Sequence, residues 1–248
     1  MHLNLIHRLD LPDARRNDAI RFQLAEAERC GLRATILVTY NGFKNHEIIE
    51  IAKRMQAEHG AELGLHLFEL HGSEYRTEFG TKEKAIYLLP RDKRKAVIDA
   101  LFARFLDTFG FMPASVGSYI LDAWTMNYLK SAYPRVKAVI SNCFEEGVKM
   151  FQGNQKGWFL FSDGGPWGPF YPSRESALCP ARDAADANGL VALPHLNRDM
   201  IMALVSRDDF FSSHPVNLIR ARINEGGTCA YGDRFVDQWI ELPLAVRG

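Results

Sequence analysis

RATILVTYNGFKNHEIIEIAKRMQAEHGAELGLHLF (33–68) decides the fold class. Its two ends, RATILVTY (33–40) and ELGLHLF (62–68), are short, largely apolar, β-rich runs, the signal of buried strands. Between them Ile48, Ile51, Ala52 and Met55 recur at helical spacing. Asn45 can cap that helix and Gly60 can stop it, because glycine accepts the left-handed conformation that ends many helices. A strand, a helix and a strand of these lengths form a βαβ unit, in which the helix carries the chain back so that the strands run parallel.

The same rhythm extends in both directions. Upstream, LNLIHRL (3–9) suits a strand that ends at Asp10, and a helical stretch from Asp13 carries Ile20, Leu24 and Ala27 before Gly31 stops it. Downstream, a long amphipathic helix after Pro90 carries Ile98, Leu101, Phe102, Phe105 and Phe109. ASVGSYI (114–120) and VKAVIS (136–141) are further strands around a short helix from Asp122. Parallel strands with crossover helices follow, as a barrel or as a doubly wound sheet. From about 153 to 189 the rhythm gives way to Gly, Pro, Trp and Ser, as in GGPWGPFYPS (164–173). A stretch that long without periodicity is expected to be a functional loop-rich insert. Order returns with GLVALPHL (189–196), and helical patterns follow Pro215 and surround Trp239. No repeat or interdomain linker interrupts the chain, so one domain over 1–248 is expected.

Composition narrows the class. Hydrophobic residues make up 47% and charged residues 24% of 248, enough for a sizeable core. Lys+Arg and Asp+Glu balance at 30 each, which leaves no field to hold a phosphate backbone and argues against nucleic acid. Cys30, Cys143, Cys179 and Cys229 are scattered without a CxxC pair, the pattern of reduced thiols. No apolar run reaches membrane-spanning length, and the start of the chain does not fit a signal peptide, so a cytoplasmic protein is expected.

Polar residues at the carboxyl ends of parallel strands are where α/β folds gather active sites. Arg8 with Asp10, His66 with Glu69 and His71, Tyr119 with Asp122, and His195 with Arg198 and Asp199 all hold such positions. His214 follows a short polar loop in SSHP (212–215). Each has a plain structural alternative: His66 as a buried, hydrogen-bonded strand histidine, Asp10 as a helix cap or partner of Arg8, His214 as a helix entry, Arg198 and Asp199 as a local ion pair. Trp167, Phe170 and Tyr171 are either loop packing or an aromatic platform for a sugar. LLPRDKRK (88–95) reads as a solvated helix start.

These segments, taken in order, resemble the polysaccharide deacetylase (NodB-homology) superfamily. ELGLHLFELHG (62–72) resembles the motif in which a strand delivers two metal-binding histidines. RATILVTY resembles the strand that family writes as ATFFV. FGFMPASVGSY (109–119) resembles its proline-containing turn into a strand, and SSHP its last motif. RLD (8–10) stands where the family has paired aspartates. GGPWGPFYPS followed by ALPHLNRD (192–199) is similar to deacetylase-like proteins of O-antigen biosynthesis clusters. The resemblance spans roughly 3–215 and implies a distorted (β/α) barrel of about seven strands. It implies an amidohydrolase that removes acetyl groups from N-acetylated amino sugars during lipopolysaccharide assembly. A divalent metal, zinc as the expected ion, would be held by Asp10, His66 and His71, and would activate water and polarise the amide carbonyl. His214 would protonate the leaving amine. Arg8, Glu69, Tyr119, Trp167, Tyr171, His195, Arg198 and Asp199 would meet the carbohydrate.

Two features depart from that pattern. Asp10 lies between Leu9 and Leu11 rather than beside a second aspartate, so Asp13 would have to supply the second carboxylate. His66 and His71 are five apart instead of four, which on a regular strand sends them to opposite faces. A bulge or an early strand end near Phe68 would reunite them, or Glu69 would replace one as an oxygen ligand. Two other readings stay open: a deacetylase-like glycan-binding or assembly protein without metal, and a metal-free sugar-cleaving hydrolase that pairs Asp10 with Asp122 or Asp199.

Overall fold

The computed structural model describes residues 5–9, 17–67, 73–83, 86–144 and 168–193, all within one compact unit. The elements are β1 (Leu5–Leu9), α1 (Asn17–Arg29), β2 (Ala34–Val38), α2 (His46–His59), β3 (Glu62–His66) and α3 (Ser73–Glu78). They continue with α4 (Arg91–Phe109), β4 (Ser115–Asp122), α5 (Ala123–Ala132), β5 (Ala138–Phe144) and β6 (Val191–Leu193). Local chemistry sets their ends as the sequence suggests. Asn45 Oδ1 accepts from the Ile48 N–H at 3.3 Å to start α2, and Gly60, at φ 63°, closes it. Asp122 starts α5 by accepting from the Thr125 N–H at 2.7 Å.

All six strands are parallel and lie in the order β1-β2-β3-β4-β5-β6. The order never reverses, so the topological switch point of a doubly wound sheet is missing among these strands. Right-handed crossovers in one direction put the helices between the described strands on the same face. Side-chain burial agrees. Leu9, Ile36, Val38, Leu63, Leu65, Val116, Val139 and Ala192, which share one face by register, belong to the main core with the apolar stripes of the helices. Leu37 and Ile140, on the alternate face, are equally buried but stand outside that core.

The alternate face is concave. A Cβ on Gly64 of β3 would lie 2.7 Å from Leu37 Cδ2, and one on Gly117 of β4 only 2.3 Å from Leu37 Cδ1. Strands β2 and β4 would be about 10 Å apart in a flat sheet, beyond what one leucine spans. The sheet must curl around Leu37, and the two glycines leave room for it. Six strands and no closure are present among the described residues, where about seven and a closed barrel were expected. At Ala192 the outer edge of β6 is occupied by Phe170, which exchanges both backbone hydrogen bonds with it in antiparallel sense. Such pairing blunts an exposed edge.

Residues 168–193 largely fulfil the expectation of a loop: apart from β6 they form isolated bridges and turns. Among the described residues, no helix is long and apolar enough to cross a membrane.

Candidate functional site at the carboxyl end of the concave face

Every second residue of β1 to β6 faces the concave side. Register puts Arg8, Leu37, Gly64, Ser115, Ala138 and Val191 in one row, and His66, Gly117, Ile140 and Leu193 in the next row toward the carboxyl ends. His66 is the last residue of β3 and is 5% exposed. Its ring lies beside Gly117, where an added Cβ would come within 3.1 Å of Cδ2. The glycine therefore makes space for the imidazole as well as for Leu37. Arg8 on β1 and Ser115 on β4 share this face one row deeper.

Strand β4 carries a bulge directly after Gly117. Gly117 pairs with Ile140 but Ile120 with Asn142, so β4 has one more residue than β5 there. Bulges re-aim the chain beside functional sites. This one contains Ser118, which is buried, and Tyr119, whose side chain lies outside the described set.

The end of β1 is fixed by its neighbour. The Leu9 carbonyl accepts from the Thr39 N–H at 3.1 Å and from Thr39 Oγ1 at 2.9 Å. The Gly42 N–H in turn donates to Thr39 Oγ1 at 3.1 Å. A Cβ on Gly42 would meet the Leu9 oxygen at 2.3 Å, so the loop crosses β1 as closely as only glycine permits. TYNG (39–42) thus fixes the carboxyl end of the first strand.

Asp10, Glu69, His71, Trp167, His195, Arg198, Asp199 and His214 lie outside the described residues, as does Asp13. Arg8 and His66 are brought to one concave face. Tyr171 is exposed and follows the bridge at Phe170, so it runs antiparallel to β6 toward that strand's amino end. His66 is the one member of the expected ligand set within the described residues, a buried imidazole suited to such a role. Among the described residues no cluster of three His, Cys, Asp or Glu side chains could hold a metal ion.

Asp122 is committed elsewhere. Besides capping α5 it accepts from Arg94 Nη1 at 2.5 Å, with Arg94 3% and Asp122 1% exposed. The remaining Arg94 N–H groups donate to Thr125 Oγ1 and to the carbonyls of Tyr87 and Leu89. Every donor of the guanidinium has an acceptor, which is what a buried charge requires. LLPRDKRK therefore starts a helix, as read, but its Arg94 is core rather than solvated. The signal was its position four residues before Ile98, on the apolar stripe of α4.

His7 points to the helix side. Burial pushes its imidazole below the ordinary value, an effect partly offset by a hydrogen bond with Gln23 of α1. It belongs to the strand–helix packing.

Comparison with known proteins locates this architecture. A crystal structure at 1.44 Å of a Parabacteroides distasonis protein, provisionally named a glycoside hydrolase/deacetylase, superposes with a TM-score of 0.55 at 18% identity. The match covers 81% of this chain and 46% of the other, so the chain spans just under half the length of that protein. At this identity the likeness is one of fold. No curated protein matches the chain. Residues 39–222 match a family described as a domain of unknown function with a solved structure, DUF3863. Because that match takes in well over half of its residues, the chain belongs to the DUF3863 family.

Proposed function

We propose that this protein is a metal-dependent hydrolase that removes acetyl groups from N-acetylated amino sugars, built on a distorted (β/α) barrel of about seven strands. The observation that carries the reading is the concave face of a singly wound parallel sheet, with His66 at its carboxyl end beside a bulged strand. A curled sheet whose helices, among the described residues, lie on one side is the geometry from which barrels close. The neighbour with this fold carries a name from the same chemistry.

Asp10, one residue beyond the pinned end of β1, His66 and His71 are the residues that would hold a divalent metal, with zinc the expected ion. When bound, the metal would supply Lewis acidity toward an amide oxygen and a lowered pKa for water. The chain's own parts have separate tasks. Thr39 and Gly42 hold the β1 terminus, from which the Asp10 carboxylate would reach the site. The buried setting of His66 excludes water from its ring and restricts its orientation. Arg8, on the same face, would bind an oxygen of the sugar. His214 would donate the proton that the leaving amine needs. The pathway context we propose is O-antigen assembly in the cytoplasm.

Protein purified without chelator is assayed for bound metal and for acetate release from acetylated hexosamine glycans. The expected result is a divalent metal near stoichiometry and released acetate. Asp10→Ala and His66→Gln each should lower the rate by orders of magnitude in a folded protein. Metal-free protein that binds such glycans without releasing acetate would overturn the reading in favour of a glycan-binding role.

A further inference from the structure

Helix α3 is six residues long, too short to hold itself without contacts from outside. Those contacts are specific. The Tyr75 side chain is wholly buried, its ring perpendicular to that of Tyr40 with centroids 5.2 Å apart, and 4.8 Å from that of Phe79. Glu78 Oε2 accepts from the Tyr40 hydroxyl at 2.6 Å, and Glu78 Oε1 accepts from Arg104 Nη2 of α4. Just beyond the helix, the Gly80 carbonyl accepts from Lys93 Nζ of α4 at 3.1 Å.

Tyr40 is the common partner. It follows β2 directly after Thr39 and is 2% exposed. Lys44 Nζ lies 4.4 Å from its ring centroid and the Arg104 guanidinium carbon 5.0 Å, and cations against the ring hold it in place. Its hydrogen bond to a carboxylate is charge-assisted and stronger than one between neutral groups. The Glu78 and Arg104 side chains are about one-third exposed, so water screens their ion pair and the buried phenol carries more of the hold. Next door, Thr39 binds the Leu9 carbonyl at the end of β1. One turn, TYNG, therefore grips two segments: the carboxyl end of β1 through Thr39 and α3 through Tyr40.

We infer that Tyr40 is a positioning residue which, through Glu78, sets the far end of the connection 68–72 that carries Glu69 and His71. The inference rests on the function proposed above, in which His71 is a metal ligand. The near end of the connection is set at Leu67, whose N–H donates to the Gly117 carbonyl at 2.8 Å. The far end is Ser73, the first residue of α3. Five residues between two fixed ends have few conformations to choose from, so less ordering remains to be done when a ligand binds. The same turn holds the strand end that precedes Asp10 and the helix that follows His71. The tie limits how far these two expected ligands can drift apart.

The test compares Tyr40→Phe with Tyr133→Phe in the full chain. Each change removes one phenol hydroxyl that bonds a carboxylate at 2.6 Å, but Tyr133 bonds Asp99 of α4 rather than α3. Amide hydrogen exchange, read by mass spectrometry, should rise about tenfold across 68–79 in Tyr40→Phe and stay as in the wild type in Tyr133→Phe. Cobalt(II) titration, read by visible absorption and chelator competition, should show about tenfold weaker binding in Tyr40→Phe and wild-type binding in Tyr133→Phe. Glu78→Ala should match Tyr40→Phe on both readouts. Glu78→Gln keeps an acceptor for the hydroxyl and should restore most of both. Circular dichroism confirms that each variant is folded. Unchanged exchange across 68–79 in Tyr40→Phe, or an equal rise in Tyr133→Phe, overturns the inference. Wild-type cobalt affinity in Tyr40→Phe overturns it alone and leaves the proposed function standing. A wild type that takes up no cobalt overturns the proposed function and the positioning role with it.

Discussion

The two faces of one sheet follow different rules. The helix-facing side of β1 to β6 is a nearly unbroken field of Leu, Ile and Val packed on α1 to α5. The concave side places Arg8, Thr35, His66 and Ser115 among Leu37, Ile140 and two glycines. The first face provides stability through burial, which is non-directional and tolerates similar shapes. The second spends its positions on curvature and polar groups, and needs Gly64 and Gly117 so that one leucine can fill the hollow. Stability and chemistry are thus divided between alternate residues of the same strands, as the two-residue period of a strand allows.

The largest test of this division concerns its exception, the charged pair on the helix side. Arg94→Ala strips a buried Asp122 of its counter-charge while the α5 cap remains. A loss of about 3–5 kcal/mol in denaturant unfolding is expected. A loss below 1 kcal/mol would mean that water reaches Asp122 and that the helix layer is looser than described.

Next comes the curvature itself. Gly117→Ala forces a methyl against Leu37 and His66 and should cost about 1–3 kcal/mol. In a Leu37→Ala background the same change should be far better tolerated, giving a coupling of about 0.5–3 kcal/mol in a double-mutant cycle. Strict additivity would show that Leu37 does not lie across Gly117, and the concave face would flatten.

A smaller effect sharpens the picture at the strand end. Thr39→Val keeps the shape but removes the hydroxyl that bonds the Leu9 carbonyl and receives the Gly42 N–H. A destabilisation of about 1–2 kcal/mol is expected. If the function proposed above holds, acetate release should fall further than stability alone explains, because β1 would then hold Asp10 less firmly.

The smallest effect belongs to His7 on the helix side. Its imidazole is held below the unfolded value of 6.5, mainly by burial. The fold therefore favours the neutral ring, and this contribution is complete above about pH 6.5. It is lost as pH falls below that value, where the unfolded chain binds the extra proton. Melting temperature should drop between pH 7.5 and pH 5.5, and His7→Gln should reduce the drop. An unchanged slope in the variant would assign the dependence to other groups.

The sequence by itself determined the elements described up to residue 144, apart from α3 (Ser73–Glu78), because each of them announces itself locally. RATILVTY and ELGLHLF are strands by composition, α2 is bounded by an asparagine cap and a left-handed glycine, and α4 shows its apolar stripe. It also marked His66 at a strand end on purely local grounds. Strand order, the choice of one helix-covered face, the bulge after Gly117 and the fate of Asp122 and Arg94 were decided only in the tertiary structure. The reason is that each depends on partners 20 to 30 or more residues away, such as Arg94 with Asp122 or Thr39 with Leu9. A carboxylate at a strand end looks the same in sequence whether it waits for a substrate or caps a helix beneath a buried arginine. Only the packing of α4 against α5 distinguishes the two, because it supplies the counter-charge that makes burial of Asp122 tolerable.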